Sequence, residues 1–181
     1  MLKQTLFPIW SLLIGIAVLT MASALQSSLI GIRASIEEFN TTATGLIMSA
    51  YYLGFILGSL LVPNWVKNVG HIRVFAAVAS LASITILMQS VIVNPWFWML
   101  MRMGTGLCYA GLFIVTESWL NDIATNKTRG RLFSIYIIEI WASQTISQFL
   151  LNLSSPSGSG LFILTSVLIS LAVVPLLLVR T

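Results

Sequence analysis

The stretch that decides the fold is Trp96–Ser118, WFWMLMRMGTGLCYAGLFIVTES, in which twenty-one residues pass before the first acid and a single cation, Arg102, interrupts the apolar run. Runs beyond ~18 apolar residues mark membrane spans. At 1.5 Å per residue this one crosses the ~30 Å hydrocarbon core of a bilayer. A barrel strand is excluded, since it needs only ~10 residues of strict alternation and this run is apolar on both parities.

Working outward, five further runs have the same character. They cover about residues 6–32, 44–66 and 74–93 before the Trp96–Ser118 run, and 132–153 and 161–179 after it. The breaks carry turn chemistry: Asn40-Thr41-Thr42 offers an N-cap, Asn94-Pro95 separates the third and fourth runs, and Ser154 to Gly160 is a flexible turn. No break is long enough for a soluble domain. The expected architecture is therefore an all-α integral membrane domain over residues 1–181, with six transmembrane helices.

Composition agrees. The chain is 57% hydrophobic and 8% charged, whereas a soluble domain carries about a quarter charged residues to cover its surface. The net charge of +4 would suit nucleic acid, but the cations sit in short clusters between apolar runs, where they read as a topology signal and no nucleic-acid partner is expected. Lys3, Lys67, Arg73, Lys127, Arg129, Arg131 and Arg180 fall on one side of a six-span arrangement and only Arg33, beside Glu37 and Glu38, on the other. The positive-inside rule then places both ends in the cytoplasm. Trp10, Trp65, Trp96, Trp98 and Trp119 fall at helix ends, where an amphipathic ring is expected at the interface. Lys3 and the Ala22-Ser23-Ala24 triplet imitate a cleavable signal, yet the apolar run continues past that point, so the segment is read as a retained span. Cys108 is the single cysteine, which removes any disulfide framework or thiolate cluster within the chain.

A weak internal repeat is visible. Gly45, Ser49 and Tyr51 open the second span, Gly130, Ser134 and Tyr136 open the fifth at the same spacing, and Glu37 aligns with Asp122. The two helices enter from opposite sides, the pattern of an inverted three-plus-three repeat.

Three stretches resemble the major facilitator superfamily. Gly54-xxx-Gly58 followed by Val69-Gly70-His71-Ile72-Arg73 occupies the place of that family's loop between helices two and three; Arg102-Met103-Gly104-Thr105-Gly106 is similar to its helix-four motif; and Thr116-Glu117-Ser118-Trp119-Leu120-Asn121-Asp122 with Thr128-Arg129-Gly130-Arg131 looks like the four-to-five loop of bacterial efflux or sugar-type carriers. The sequence departs from the pattern where Lys67 and Asn68 replace the usual loop aspartate and arginine, and where no proline-glycine antiporter motif occurs from Tyr136 to Phe149. The family has twelve helices in two similar halves, and six are read here. The resemblance implies one half of a facilitator-type bundle that moves a small-molecule substrate by alternating access, coupled to protons or another ion, and covered by a second six-helix half: another copy or a C-terminal half.

Arg102 and Glu139 are the two charges placed within the hydrocarbon, where a charge faces a cavity or a partner. Helix rise puts them about 10 Å apart in depth, too far for a direct ion pair. The resemblance makes Gln26, Arg102, Thr105 and Tyr109 candidates for the wall of the transport path. Glu139, Ser143, Gln144, Ser147 and Gln148 on the fifth span join them, with Glu139, Ser143 and Ser147 on one face. Amides and hydroxyls can equally tie helices together. Gly54, Gly58, Gly104 and Gly106 are packing residues by their small size. The resemblance also makes Gly70, Arg73, Glu117 and Arg131 candidates for a cytoplasmic gate and implies that Arg73 pairs with Glu117. His71 is alone, so no metal site is expected. Neither a catalytic triad nor a phosphate loop nor a His-rich motif is present, which excludes hydrolase, ATPase and redox-enzyme readings and any cofactor. The alternative function is a membrane scaffold that keeps the fold without a transport cycle.

Overall fold

The computed structural model describes residues 2–177, with the side chains of residues 10–175. Arg180 of the topology signal and the end of the last expected span lie outside the described residues, and the Lys3 side chain lies outside the described side chains. Six helices follow one another: α1 Leu2–Ile36, α2 Thr41–Val69, α3 His71–Val91, α4 Pro95–Ile123, α5 Arg129–Leu150 and α6 Gly160–Leu177, with one 3₁₀ turn, Leu151–Leu153, after α5.

Local chemistry sets the joints. The Asn40 side chain accepts a hydrogen bond from the Ala43 amide (2.7 Å), capping α2. Asn94 accepts from the amides of Trp96 and Phe97, with Pro95 at the first helical position of α4. Between α2 and α3 the chain turns on Gly70 alone, at φ 92°, a backbone conformation that a side chain would strain.

Length and apolarity alone qualify four of the six helices as spans: Trp10–Ile36 of α1, then α2, α3 and α4. The other two of the six expected spans fall short by that measure among the described residues. Ser134, Glu139, Ser143, Gln144, Thr145, Ser147 and Gln148 dilute α5, and the apolar part described for α6, Gly160–Pro175, is short.

The packing is paired. α4 lies against α2 and α3, α1 lies against α5 and α6, and α3 touches α6. Exchanging α1 with α4, α2 with α5, and α3 with α6 reproduces the same set of neighbours. The α2–α4 seam is the closest. A methyl group added at Gly54 would fall on the Met103 carbonyl, one at Gly106 on the Tyr51 carbonyl, and one at Gly58 would lie 2.6 Å from the Leu107 oxygen. Gly104 faces the other way, with a Cβ position 3.4 Å from the Thr85 methyl of α3. Small residues thus let backbones touch.

Large side chains fill the centre: Trp98, Tyr109, Phe75 and Phe162 are fully buried. Trp98 keeps the helix-end place expected of it, but its ring is turned into the bundle. Its indole N–H donates to the Ile92 carbonyl (2.9 Å), and its ring lies edge-on to Phe39 and Phe162. The turn after α3 leaves that carbonyl free for a buried donor, and the ring plugs the end of the bundle. Outward faces are apolar instead, with Tyr52, Leu53, Ile56 and Leu60 on α2 and Ile138, Trp141 and Phe149 on α5 exposed. Helices whose backbones are internally bonded can present such faces to lipid.

Candidate functional site

Where α1, α2, α3 and α4 meet, the bundle holds a polar cluster within apolar surroundings. Arg102 is only 2% exposed. Its guanidinium carbon stands 4.8 Å from the centre of the Tyr51 ring of α2, a cation–π contact. Arg102 forms no ion pair among the described residues, and its Nε lacks a hydrogen-bond partner. The Tyr109 hydroxyl, two turns along the same helix, is fully buried and likewise unpartnered. Tyr51, Phe55, Tyr109 and Phe113 form a ring of four aromatic side chains with centroids 6.1–6.4 Å apart.

Gln26 and Thr105 come together as neighbours. The Gln26 amide nitrogen donates to the Thr105 hydroxyl at 3.4 Å, which also lies 2.9 Å from the Thr85 hydroxyl and donates to the Met101 carbonyl. The Gln26 carbonyl oxygen is left without a partner. Several buried groups without partners on one wall are unusual, because an unsatisfied buried polar atom costs about 1–3 kcal/mol.

The α5 candidates occupy another place, the α1–α5 seam. Glu139 is partly buried against the α1 backbone at Ala17, and neither carboxylate oxygen has a hydrogen-bond partner. Ser143 and Ser147 are buried on the same face. The Ser147 hydroxyl donates to the Gln144 carbonyl (2.7 Å) and accepts from the Gln148 amide (3.3 Å); the Ser28 hydroxyl donates to Gln148 Oε1 (2.9 Å). Arg102 and Glu139 are not joined by an ion pair.

At the basic end of the bundle the expected Arg73–Glu117 pair is not formed in this conformation. Arg73 and Arg131 are exposed, and Glu117 instead accepts a hydrogen bond from the Tyr136 hydroxyl of α5 (3.1 Å). His71 Nε2 lies 3.0 Å from the Ser118 hydroxyl. Gly70, His71 and Arg73 line a shallow recess closed on one side by Trp119. Among the described residues no three His, Cys, Asp or Glu side chains come together as a metal site would require.

Arg33 holds the opposite end. It is ion-paired with Glu37 at 2.5 Å, and its Nη1 donates to the carbonyls of Pro156, Ser157 and Gly158 in the α5–α6 loop. Sequence reasoning missed Tyr51, Thr85, Tyr136 and the role of Arg33. Tyr51 and Tyr136 carried a signal as the matched tyrosines of the internal repeat, whereas nothing in the sequence distinguishes Thr85 from other helix threonines.

Comparison with known proteins extends over nearly all of this framework. The model of the Major Facilitator Superfamily matches residues 12–181. An uncharacterized MFS-type transporter, YcaD, of Escherichia fergusonii is 27% identical over 173 residues, covering 96% of this chain and 45% of that protein. The YcaD of Salmonella enteritidis PT4 is 29% identical over 175 residues with the same coverage. A further uncharacterized MFS-type transporter, Ent638_1421 of Enterobacter sp. strain 638, is 26% identical over 173 residues. The chain thus spans about half the length of the curated relatives it matches. The glycine-tight α2–α4 seam and the arginine buried beside it fall wholly within the matched residues, and the chain belongs to the Major Facilitator Superfamily, a family of multi-pass membrane transporters rather than enzymes.

Proposed function

We propose that this chain is one six-helix half of a secondary transporter, moving a small solute by alternating access, with Arg102 on its transport path. The observation that carries the reading is Arg102 itself: a buried guanidinium, oriented by the Tyr51 ring, with no acid beside it. A charge kept in the membrane without a counter-charge is retained for a ligand or a cavity. Tyr109 and Gln26 add one donor-acceptor group and one acceptor that are also unengaged, so the wall supplies hydrogen bonds for an anionic or hydroxylated solute. Thr105 positions Gln26.

All six helices cross the bilayer, with both ends cytoplasmic in the inner membrane of a bacterium. The exchange of neighbours between α1–α3 and α4–α6 supports an inverted three-plus-three repeat. A second six-helix half covers the path. At the cytoplasmic end Gly70, Arg73, Glu117 and Arg131 form a gate, with Tyr136 holding Glu117 until Arg73 replaces it.

Arg102→Ala should abolish solute flux in vesicles carrying the assembled protein, with insertion and assembly intact. Arg102→Lys should restore only part of it, because an ammonium is a point charge without the planar fork of a guanidinium. Full flux in Arg102→Ala would remove Arg102 from the path. An assembled protein with no flux of any solute would favour the scaffold.

A further inference from the structure

Arg102, Tyr109 and Gln26 are each almost wholly buried, and Arg102 Nε, the Tyr109 hydroxyl and the Gln26 carbonyl oxygen have no hydrogen-bond partner. The Tyr51 contact holds the guanidinium electrostatically and needs none of its N–H donors. Those donors form a planar fork that fits the two oxygens of a carboxylate.

Charge sets the first limit on what this wall can take. Arg102 is the one cation within the spans of this half: no Lys or Arg occurs over residues 10–32, 44–66, 74–91, 132–150 or 160–177. The single acid there, Glu139, lies in the α1–α5 seam and makes no ion pair with Arg102. One positive charge balances one negative charge. A dianion would bring a second, uncompensated charge out of water, at a cost of several kcal/mol.

The body of the solute is limited by the rest of the cluster. From Arg102 towards the basic end run Tyr51 and Phe55 of α2 and Tyr109 and Phe113 of α4. Tyr51, Phe55 and Phe113 are only partly buried, so ring surface stays open. Aromatic faces and edges suit another ring packed on them. Beyond Arg102, the free polar groups of this cluster are the Tyr109 hydroxyl and the Gln26 oxygen. A ring dense in hydroxyls, as in a sugar acid, would give up more hydrogen bonds to water than these two return. An apolar ring gives up none.

We infer that the Arg102 wall selects a monocarboxylate built on an apolar ring, its carboxylate held by Arg102 and its ring packed on Tyr51, Phe55 and Phe113. The inference rests on the transport reading above and deepens it by naming the class of solute.

Ligand-induced stabilisation of the assembled protein in lipid nanodiscs tests this without any flux, because a ligand of the folded state raises its thermal midpoint as concentration rises. Benzoate and the larger 2-naphthoate are the probes. Phthalate, phenyl phosphate, glucuronate and benzyl alcohol change the charge, the head group or the body. At least one probe should raise the midpoint at a lower concentration than any of those four. In Arg102→Gln its apparent dissociation constant should rise about tenfold or more, the loss of a charged hydrogen-bonded contact. Phe113→Leu should raise it about threefold through lost ring contact, and decides the matter if Arg102→Gln does not fold. The proposal is overturned if neither probe shifts the midpoint, if any of the four comparison compounds binds more tightly, or if binding is unchanged in either folded variant. Arg102-dependent binding in a protein that carries no flux of any solute would remove the transport reading and keep the site. Arg102-dependent flux of a dianion, a sugar acid or an uncharged solute, without binding of the probes, would do the reverse.

Discussion

The α2–α4 and α5–α1 seams occupy equivalent places in the paired packing, yet they are built from opposite chemistry. The first is closed by Gly54, Gly58 and Gly106 until backbone meets backbone, and aromatic rings seal its flank. The second keeps the buried Ser143 and Ser147 between its helices, with Gln148 bonded to Ser147 at its edge. In lipid there is no hydrophobic drive to bring helices together, so contact area and hydrogen bonds decide which seams are rigid. By that measure the α2–α4 seam is the more rigid of the two.

Four substitutions break or sharpen that contrast. The largest effect is expected at Gly106→Val, whose side chain would enter the Tyr51 carbonyl and force α2 away; stability should fall by at least ~3 kcal/mol. Gly130→Ala should change it by no more than ~1 kcal/mol, in the stabilising direction, because glycine weakens a helix and the space there is open. The fraction of monodisperse protein after graded heating measures both. Equal tolerance at the two glycines would end the distinction between the seams.

Glu139→Leu comes next. Removing a carboxyl with two unpartnered oxygens should raise the thermal midpoint, a gain of about 1–3 kcal/mol. A fall would mean that the carboxyl ties α5 to α1, making the second seam as structural as the first.

A smaller effect than at Glu139 is expected at Tyr136→Phe, which removes the hydrogen bond to Glu117 and should cost about 1 kcal/mol. The thermal midpoint measures it, and an unchanged midpoint would show that this bond does not restrain Glu117.

How much could be seen beforehand follows from what each feature rests on. Helix joints were legible where Asn40 and Asn94-Pro95 act locally on their own backbone, whereas the single-residue turn at Gly70 was not. Gly54, Gly58 and Gly106 were legible as contacts because spacing alone puts them on a helix face, although the identity of the opposing carbonyls was not. The burial of Arg102 was expected from its position in an apolar run. Its partner was not, because a cation held by a ring face leaves no opposite charge to find. Trp98 misled for a related reason: a tryptophan near a helix end suits the interface, and only tertiary packing decides that it turns inward. In α5 the polar residues were recognised singly, but their sum, which lowers that helix below its neighbours in apolarity, was not weighed.

Arg33 fastens the α5–α6 loop by its peptide oxygens, at Pro156, Ser157 and Gly158, rather than by any side chain there. Every amino acid supplies that same oxygen. Mutational drift across the Ser154–Ser159 stretch can therefore rewrite the face this loop shows to its surroundings while the tether stays in place, provided the arginine is kept. One residue of α1 thus frees six others from having to be remembered.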